Sequence, residues 1–337
     1  MMAALTDLES LLKREMGLDA ASIGSSAIEG AVRARLAVCR LADIDAYRDL
    51  VSTSAQELQA LIEAIVIPET WFFRDAEAFD ALTRIACDDW LPRHDAGVLR
   101  LLSLPCSSGE EPYSMLMALV DGGFPRARLR IDALDISQRA IAAARAGLYG
   151  RNSFRGKDLA FRERHFSCDG DACRIDVSLR DAVHFRHANL FDADFSARLG
   201  SYDVIFCRNI LIYFDADTQR HALDVLARLL APDGALIVAP AETGLLLSHD
   251  FRMLRRAGAC YFHKGRAVRG AARQNAPATL SPAKSAATAS RPSPSTIAAK
   301  IAPVAQPRPP LPADVPAPQD FVDLFRVQVD REIEGQA

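Results

Sequence analysis

The sequence predicts an α/β chain: a doubly wound parallel sheet, preceded by a small all-helical domain and interrupted by a small antiparallel insertion. Three observations carry that prediction. Residues 1 to 65 repeat their apolar positions at helical spacing. From about 75 to 268, short apolar runs alternate with amphipathic stretches, the pattern of right-handed crossovers in a sheet whose ligand site lies at the strand C-termini. The segment "FSCDGDACRIDVSLRDAVHF" breaks that alternation around a turn at Gly170.

Each element follows in order. "TDLESLLKREM" opens with Thr6 and Glu9 in capping-box register, and Leu5, Leu8, Leu12 and Met16 recur along one face. "AIEGAVRARLAVCRL" and "IDAYRDLVST" continue the helical pattern, and Ser54 with Glu57 forms a second capping box before "LQALIEAIVI". Pro68 ends that run. "GVLRLLSLP" then reads as a strand, "EPYSMLMALVDG" as a helix, "RLRIDALDIS" as a strand and "QRAIAAARAGLY" as a helix. "DAVHFRHANL", "YDVIFCRNIL", "GALIVAPAE" and "CYFHKG" are further strands, with "DTQRHALDVLARLL" an amphipathic helix among them. Residues 270 to 318 are Ala, Pro and Ser with scattered charge, too poor in apolar residues to offset their ordering entropy. "FVDLFRVQVDREIEG" regains helical periodicity. The expected organisation is a helical domain over 1–68 and an α/β domain over 69–268 with an insertion at 162–187. A linker over 269–318 and a short amphipathic helix, or the start of a further domain, over 319–337 complete it.

Composition excludes several classes. Of 337 residues half are apolar and a quarter charged, with net charge −3, so there is no basic signature for nucleic acid. No apolar run approaches the roughly 20 residues that span a bilayer. "MMAALTDLESLLKREMGLD" alternates charge with leucine, unlike a signal peptide. The seven cysteines form no CxxC pair. Neither a zinc site nor a disulfide framework is expected, and the simple reading is a reducing cytoplasm.

The chemistry-bearing residues gather at strand ends. "LLSLPCSSGEEPYS" turns from strand to helix with Ser107 and Ser108 as N-cap candidates, Gly109 for a tight approach, and Glu110 and Glu111 in the first turn. The two glutamates are either helix-start charges favoured by the macrodipole or part of a site. As a site, they repel a nucleoside polyphosphate and attract a ligand with sulfonium and ammonium groups, which describes S-adenosylmethionine. The GxGxxG fingerprint of a dinucleotide site is missing. Asp135 ends the next strand about 25 residues on, the place of a ribose-binding carboxylate. "IPETWFFRD" is an aromatic cluster that is core or site; read as helical, it puts Thr70 and Arg74 on one face. Arg74 is then free to hold a carboxylate. "YDVIFCRNILIYF" is an apolar strand ending in Cys207, Arg208 and Asn209, with Tyr213 one turn on. A buried strand does not carry Arg-Asn at its end unless those groups are used. No histidine neighbours Cys207, so it is not a nucleophile.

Together, "ETWFFRD", "SSGEEPYS", "DALDIS", "ARAGLYG", "FCRNILIYF" and "LAPDGALIVA" resemble the CheR chemoreceptor glutamate O-methyltransferases over about 10 to 265. "PETWFFRD" looks most like the Wsp-type, surface-sensing branch, whose members carry helical repeats beyond a linker. The resemblance implies a class I methyltransferase domain, Rossmann-like, behind a helical receptor-recognition domain. It implies S-adenosylmethionine as cofactor, with S-adenosylhomocysteine as product. Thr70, Arg74, Glu110 and Asp135 are expected on the cofactor, Asn189, Leu190, Cys207 and Arg208 along its adenine and methionine ends, and Tyr213 nearest the transferred methyl. Arg74 and Tyr213 are expected to orient the acceptor, and Glu111 to remain a helix-start charge. The implied partner is the cytoplasmic helical bundle of a methyl-accepting receptor, with no nucleic acid and no membrane insertion. Arg33, Arg35 and Arg40 offer a basic face to it, or an ordinary solvated one. The family pattern is broken where "APAE" replaces Gly-His-Ser-Glu, and the short insertion points to recognition independent of a receptor tail. The rival readings are a non-catalytic scaffold that tethers receptors, a dehydrogenase, and a small-molecule or RNA methyltransferase.

Overall fold

In the computed structural model, which describes residues 2–66, 68–156 and 158–265, the chain begins with five helices. These are α1 (Met2–Met16), α2 (Ala20–Ile23), α3 (Ser25–Cys39), α4 (Ile44–Thr53) and α5 (Ala55–Ile65). Their apolar faces meet in one core, where Leu8 and Leu12 pack with Ile28, Val32, Tyr47, Val51 and Leu61. Because α1 already runs from Met2, Thr6 lies within the helix and not at its cap. Ser54 does cap α5, accepting from Glu57 N at 3.2 Å. The Glu57 side chain does not close that box, because Arg35 Nε and Nη2 (2.9 and 2.8 Å) and Tyr47 OH (2.8 Å) donate to it. Arg35 therefore braces the domain from inside and does not belong to a free basic face. Arg33 is exposed and pairs with Glu29 on its own helix.

The rest of the described chain alternates as expected: α6 (Ala76–Arg84), β1 (Leu99–Ser103), α7 (Glu110–Asp121), β2 (Leu129–Asp135), α8 (Gln138–Ala146), β3 (Leu148–Tyr149), α9 (Ala160–His165), β4 (Phe166–Asp169), β5 (Ala172–Ile175), α10 (Val177–Arg180), β6 (Val183–His187), β7 (Tyr202–Phe206), α11 (Ala216–Leu229), β8 (Leu230–Ile237), α12 (Thr243–Leu246), β9 (Phe251–Arg256) and β10 (Ala259–Lys264). Seven strands form one sheet in the order β6-β2-β1-β7-β8-β10-β9. β6, β2, β1, β7 and β8 pair in parallel, and β10 is antiparallel to both its neighbours. This is the class I methyltransferase arrangement. Strand order reverses at β1, which opens a crevice between the C-terminal ends of β1 and β7.

Side chains alternate between the sheet's two faces. Leu101, Val204, Phe206 and Ile237 enter the core shared with α6, α7 and the small sheet. Leu102, Ile205, Cys207 and Leu236 enter the core shared with α11.

The antiparallel excursion differs from the expected 162–187 insertion. β4 and β5 form its hairpin and β3 adds a third strand, whereas Val183–His187 runs along the edge of the main sheet beside β2. The expectation of no disulfide is also corrected: Cys168 and Cys173 are joined. They stand directly opposite in the β4–β5 ladder, a relation that a search for CxxC spacing passes over. β9 was absent from the sequence reading because "FRMLRR" carries charge along a half-exposed edge. The linker and terminal helix expected over 269–318 and 319–337 lie outside the described residues. Among the described residues, no helix is long and apolar enough to cross a membrane.

Candidate active site

The crevice at the strand ends is closed by the helical domain into one cavity. Cys106 and Ser107 line it beyond β1, Asp135 and Ile136 at the end of β2, Asn189 and Leu190 beyond β6, and Arg208 and Asn209 beyond β7. Met16, Leu18 and Ile23 roof it from the helical domain.

The turn after β1 sets the geometry. Gly109 has φ 96, and a Cβ there would lie 2.9 Å from Ala144 Cβ and 3.0 Å from Tyr149 OH, so only glycine lets α7 start this close to α8 and β3. Gly109, and neither Ser107 nor Ser108, is the residue before α7, and no side chain caps that helix. Ser107 N instead donates to Asp135 Oδ2 at 2.7 Å, and Ser137 N to Oδ1 at 2.8 Å. Asp135 is 3% exposed. Burial holds its carboxyl above the ordinary range, and these two N–H groups offset only part of that rise.

Consecutive helical residues point about 100° apart, so Glu110 and Glu111 face different ways. Glu110 is buried behind the turn, where Ser108 Oγ (2.7 Å) and Ser153 Oγ (2.8 Å) donate to it, and it does not line the cavity. Glu111 does line it. Its Oε1 accepts from Ser103 Oγ at 2.8 Å and its Oε2 from Arg208 Nη1 at 3.0 Å. Burial raises both glutamates; the Arg208 guanidinium works against that rise at Glu111. Arg208, 4% exposed, also donates to the Arg74 carbonyl at 3.0 Å and to the Asp75 carboxylate.

Two buried polar atoms on lining residues have no hydrogen-bond partner among the described residues: Arg208 Nε and Ser107 Oγ. An unpaired buried group costs about 1–3 kcal/mol. A polar ligand in the cavity would meet the two atoms with an acceptor at Arg208 Nε and with either a donor or an acceptor at Ser107 Oγ. Over residues 68–257 the chain matches the family model described as "CheR methyltransferase, SAM binding domain".

The chain belongs to the CheR methyltransferase family.

It is 51% identical over 245 residues to the probable biofilm formation methyltransferase WspC of Pseudomonas aeruginosa, a match covering 72% of this chain and 58% of that protein. A second protein of that name, from Pseudomonas putida, is 42% identical over 303 residues, covering 89% of this chain and 68% of that one. Chemotaxis protein methyltransferase 2 of Vibrio cholerae is 34% identical over 221 residues, covering 63% and 76%. The chain thus spans less than two thirds of the first of these relatives. The cofactor of the CheR domain is S-adenosylmethionine, and the lining fits it. The lining offers the Asp135 and Glu111 carboxylates, which suit cationic and hydroxyl groups, and the Arg74 and Arg208 guanidiniums, which suit a carboxylate.

The CheR-type site brings together most of the residues expected from sequence. Thr70, Arg74, Asp135, Asn189, Leu190, Arg208 and Tyr213 all line the cavity. Thr70 and Arg74 do not share a helical face, however. The segment is an open turn, with Phe73 and Asp75 at φ 55 and 57. Arg74 is placed by stacking on the Trp71 ring at 4.5 Å and by donating to the Glu69 carbonyl at 2.8 Å. The Phe72 and Phe73 rings are core, packed against Phe161. Asn189 Nδ2 donates to the Glu15 carbonyl at 2.5 Å, fastening the cavity to α1. Glu110 and Cys207 fall outside the lining. The Cys207 side chain is wholly buried on the α11 face, with its thiol pushed well up by burial. Tyr213 is 39% exposed at the cavity mouth, and its carbonyl accepts from Asp19 N at 3.0 Å.

Sequence reasoning also missed Glu63 and Glu242. Glu63, on α5, accepts from Ser137 Oγ and Gln138 N, each at 2.6 Å, and so charges the start of α8 from the neighbouring domain. Glu242 is fully buried, and its carboxylate takes backbone N–H groups from the loop after β7. The signal for Glu63 was its place near the end of an amphipathic helix; for Glu242 it was "APAE", in which the final Glu is the one position kept from the Gly-His-Ser-Glu pattern.

Proposed function

We propose that this chain methylates glutamate side chains in the helical signalling region of a methyl-accepting chemoreceptor. The products are glutamyl 5-O-methyl esters and S-adenosylhomocysteine, made in the cytoplasm during adaptation of a chemotaxis-like or surface-sensing system. The observation that carries this reading is the convergence of Asp135, Glu111, Arg208 and Tyr213 on one cavity in a chain of this family.

When bound, the cofactor supplies a methyl group on a sulfonium centre that departs as a neutral thioether. The residues of the chain hold and align. Each Asp135 oxygen already accepts one backbone N–H and keeps lone pairs for the ribose hydroxyls. Arg208 and Arg74 would hold the carboxylate of the methionine end. Glu111 faces the cationic groups, while Leu190 and Ile136 give apolar walls to the adenine.

The acceptor glutamate is ionised at neutral pH, since its ordinary pKa is about 4.3, so no general base is needed. Alignment is the main contribution, for which effective molarities on the order of 10⁵ M are known. Tyr213 at the mouth and Arg74 on its Trp71 platform orient the acceptor carboxylate. Receptor docking by the helical domain rests on exposed Arg33 and on Arg40, since Arg35 is engaged internally.

The test is incubation with methyl-labelled cofactor and a receptor cytoplasmic fragment. Label on the receptor that base releases as methanol supports the ester; label stable to base counts against it.

A further inference from the structure

In the loop carrying Arg208, Asn209 and Tyr213, the backbone N–H groups of residues 209–211 are held by a side chain from outside the loop. Asn209 sits in the left-handed region at φ 60, a conformation asparagine adopts more readily than other residues with a side chain. The N–H groups of Asn209, Ile210 and Leu211 all point to one acceptor, the Glu242 carboxylate. Oε2 accepts from Asn209 N at 2.9 Å and Ala239 N at 3.0 Å, and Oε1 from Ile210 N and Leu211 N at 2.8 Å each. Glu242 is fully buried, so no bulk water replaces it. Three successive N–H groups closing on one carboxylate form an anion-binding nest filled by the chain's own side chain. Directly after the nest, Leu211–Tyr213 forms a tight 3-10 turn, and Tyr213 N donates to the Ile210 carbonyl at 3.0 Å.

We infer that Glu242 is a positioning residue for the acceptor side of the site, fixing through the 209–211 backbone where Tyr213 stands. The Arg208 guanidinium is held independently, by Glu111 and Asp75. The clamp and the cofactor-facing arginine are thus separable, and loss of the clamp displaces Tyr213 more than it displaces the cofactor. The inference rests on the reading of Tyr213 as the residue that orients the acceptor.

Glu242→Gln is the discriminating variant, because an amide has one acceptor oxygen and turns an NH₂ group toward two of the four N–H donors. Glu242→Asp keeps the charge with a shorter reach. Three measurements are made on the full chain: calorimetric S-adenosylhomocysteine affinity, the ¹⁹F spectrum of fluorotyrosine-labelled protein with the Tyr213 signal assigned through Tyr213→Phe, and methyl transfer to a receptor fragment. The expected result for Glu242→Gln is affinity within about 3-fold of the parent, a shifted or broadened Tyr213 signal, and transfer lower by about 30-fold or more. Glu242→Asp should fall between the two. An unchanged Tyr213 signal with parental transfer overturns the inference. So does loss of cofactor affinity in Glu242→Gln, or loss of folding in both variants, either of which makes Glu242 a cofactor or folding residue. If the parent itself transfers no methyl to the receptor fragment, the receptor reading fails, while the ¹⁹F signal still decides the role of Glu242.

Discussion

Glu111 and Arg208 pair in the cavity wall, Oε2 to Nη1 at 3.0 Å, while Glu110, the preceding residue, turns away to Ser108 and Ser153. The two glutamates should therefore separate on mutation. Glu111→Gln removes the cavity-facing charge and should weaken S-adenosylhomocysteine binding by about 10- to 100-fold, the worth of one charge-assisted hydrogen bond. Glu110→Gln should leave affinity within about 3-fold and lower the thermal midpoint. Calorimetry on both variants checks this; the opposite ranking would return the cofactor role to Glu110.

Asp135 ties the turn after β1 to the end of β2, and its remaining lone pairs face the cavity. Asp135→Ala strips the acceptor from Ser107 N and Ser137 N together with the proposed ribose contact. Affinity for S-adenosylhomocysteine should fall by about 30-fold or more. A variant that binds as tightly as the parent would remove Asp135 from the site.

Tyr213 is partly open to solvent, and its side chain makes no hydrogen bond among the described residues. Tyr213→Phe should leave cofactor affinity nearly unchanged and lower turnover by about 10-fold or more, seen as a fall in kcat on a receptor fragment. Parental kcat would leave the hydroxyl without a chemical role.

Glu63 couples the helical domain to α8, and this coupling is pH-dependent. Burial pushes its carboxyl up, but hydrogen bonds from Ser137, Gln59 and Arg139 outweigh that and hold it below the ordinary range. A carboxylate with a depressed folded pKa contributes stability in full above its unfolded value, about 4.3, and loses it as pH falls through the folded value. Thermal midpoints measured from about pH 6 down to pH 3 should therefore drop more steeply in the parent than in Glu63→Gln. Parallel curves would contradict the coupling.

The sheet was legible because its strands are buried on both faces: "LLSL", "DVIF" and "ALIV" read as continuous apolar runs. The site was legible as a set of strand ends, since a doubly wound sheet puts Asp135 and Arg208 at one rim whatever the details. Direction was not legible. Which of Glu110 and Glu111 faces the ligand depends on where α7 begins, and Gly109 fixes that through contacts with Ala144 and Tyr149. Cys207 points away because strand alternation assigns it to the α11 face. Thr70 and Arg74 meet on an open turn because Phe73 and Asp75 take positive φ. Glu242 stood out only as the retained acid of "APAE"; its role was not legible because its partners are backbone groups of a loop distant in sequence, which no residue type announces.

Ester formation at a glutamate is the central step of the proposed function. A receptor cytoplasmic fragment incubated with the protein and S-adenosylmethionine, then mapped by peptide mass spectrometry, should show methyl groups on glutamate side chains. Those groups should vanish with Asp135→Ala or after mild base. Methylation on any other residue type, or a receptor left unmodified by protein that binds S-adenosylhomocysteine, would contradict it.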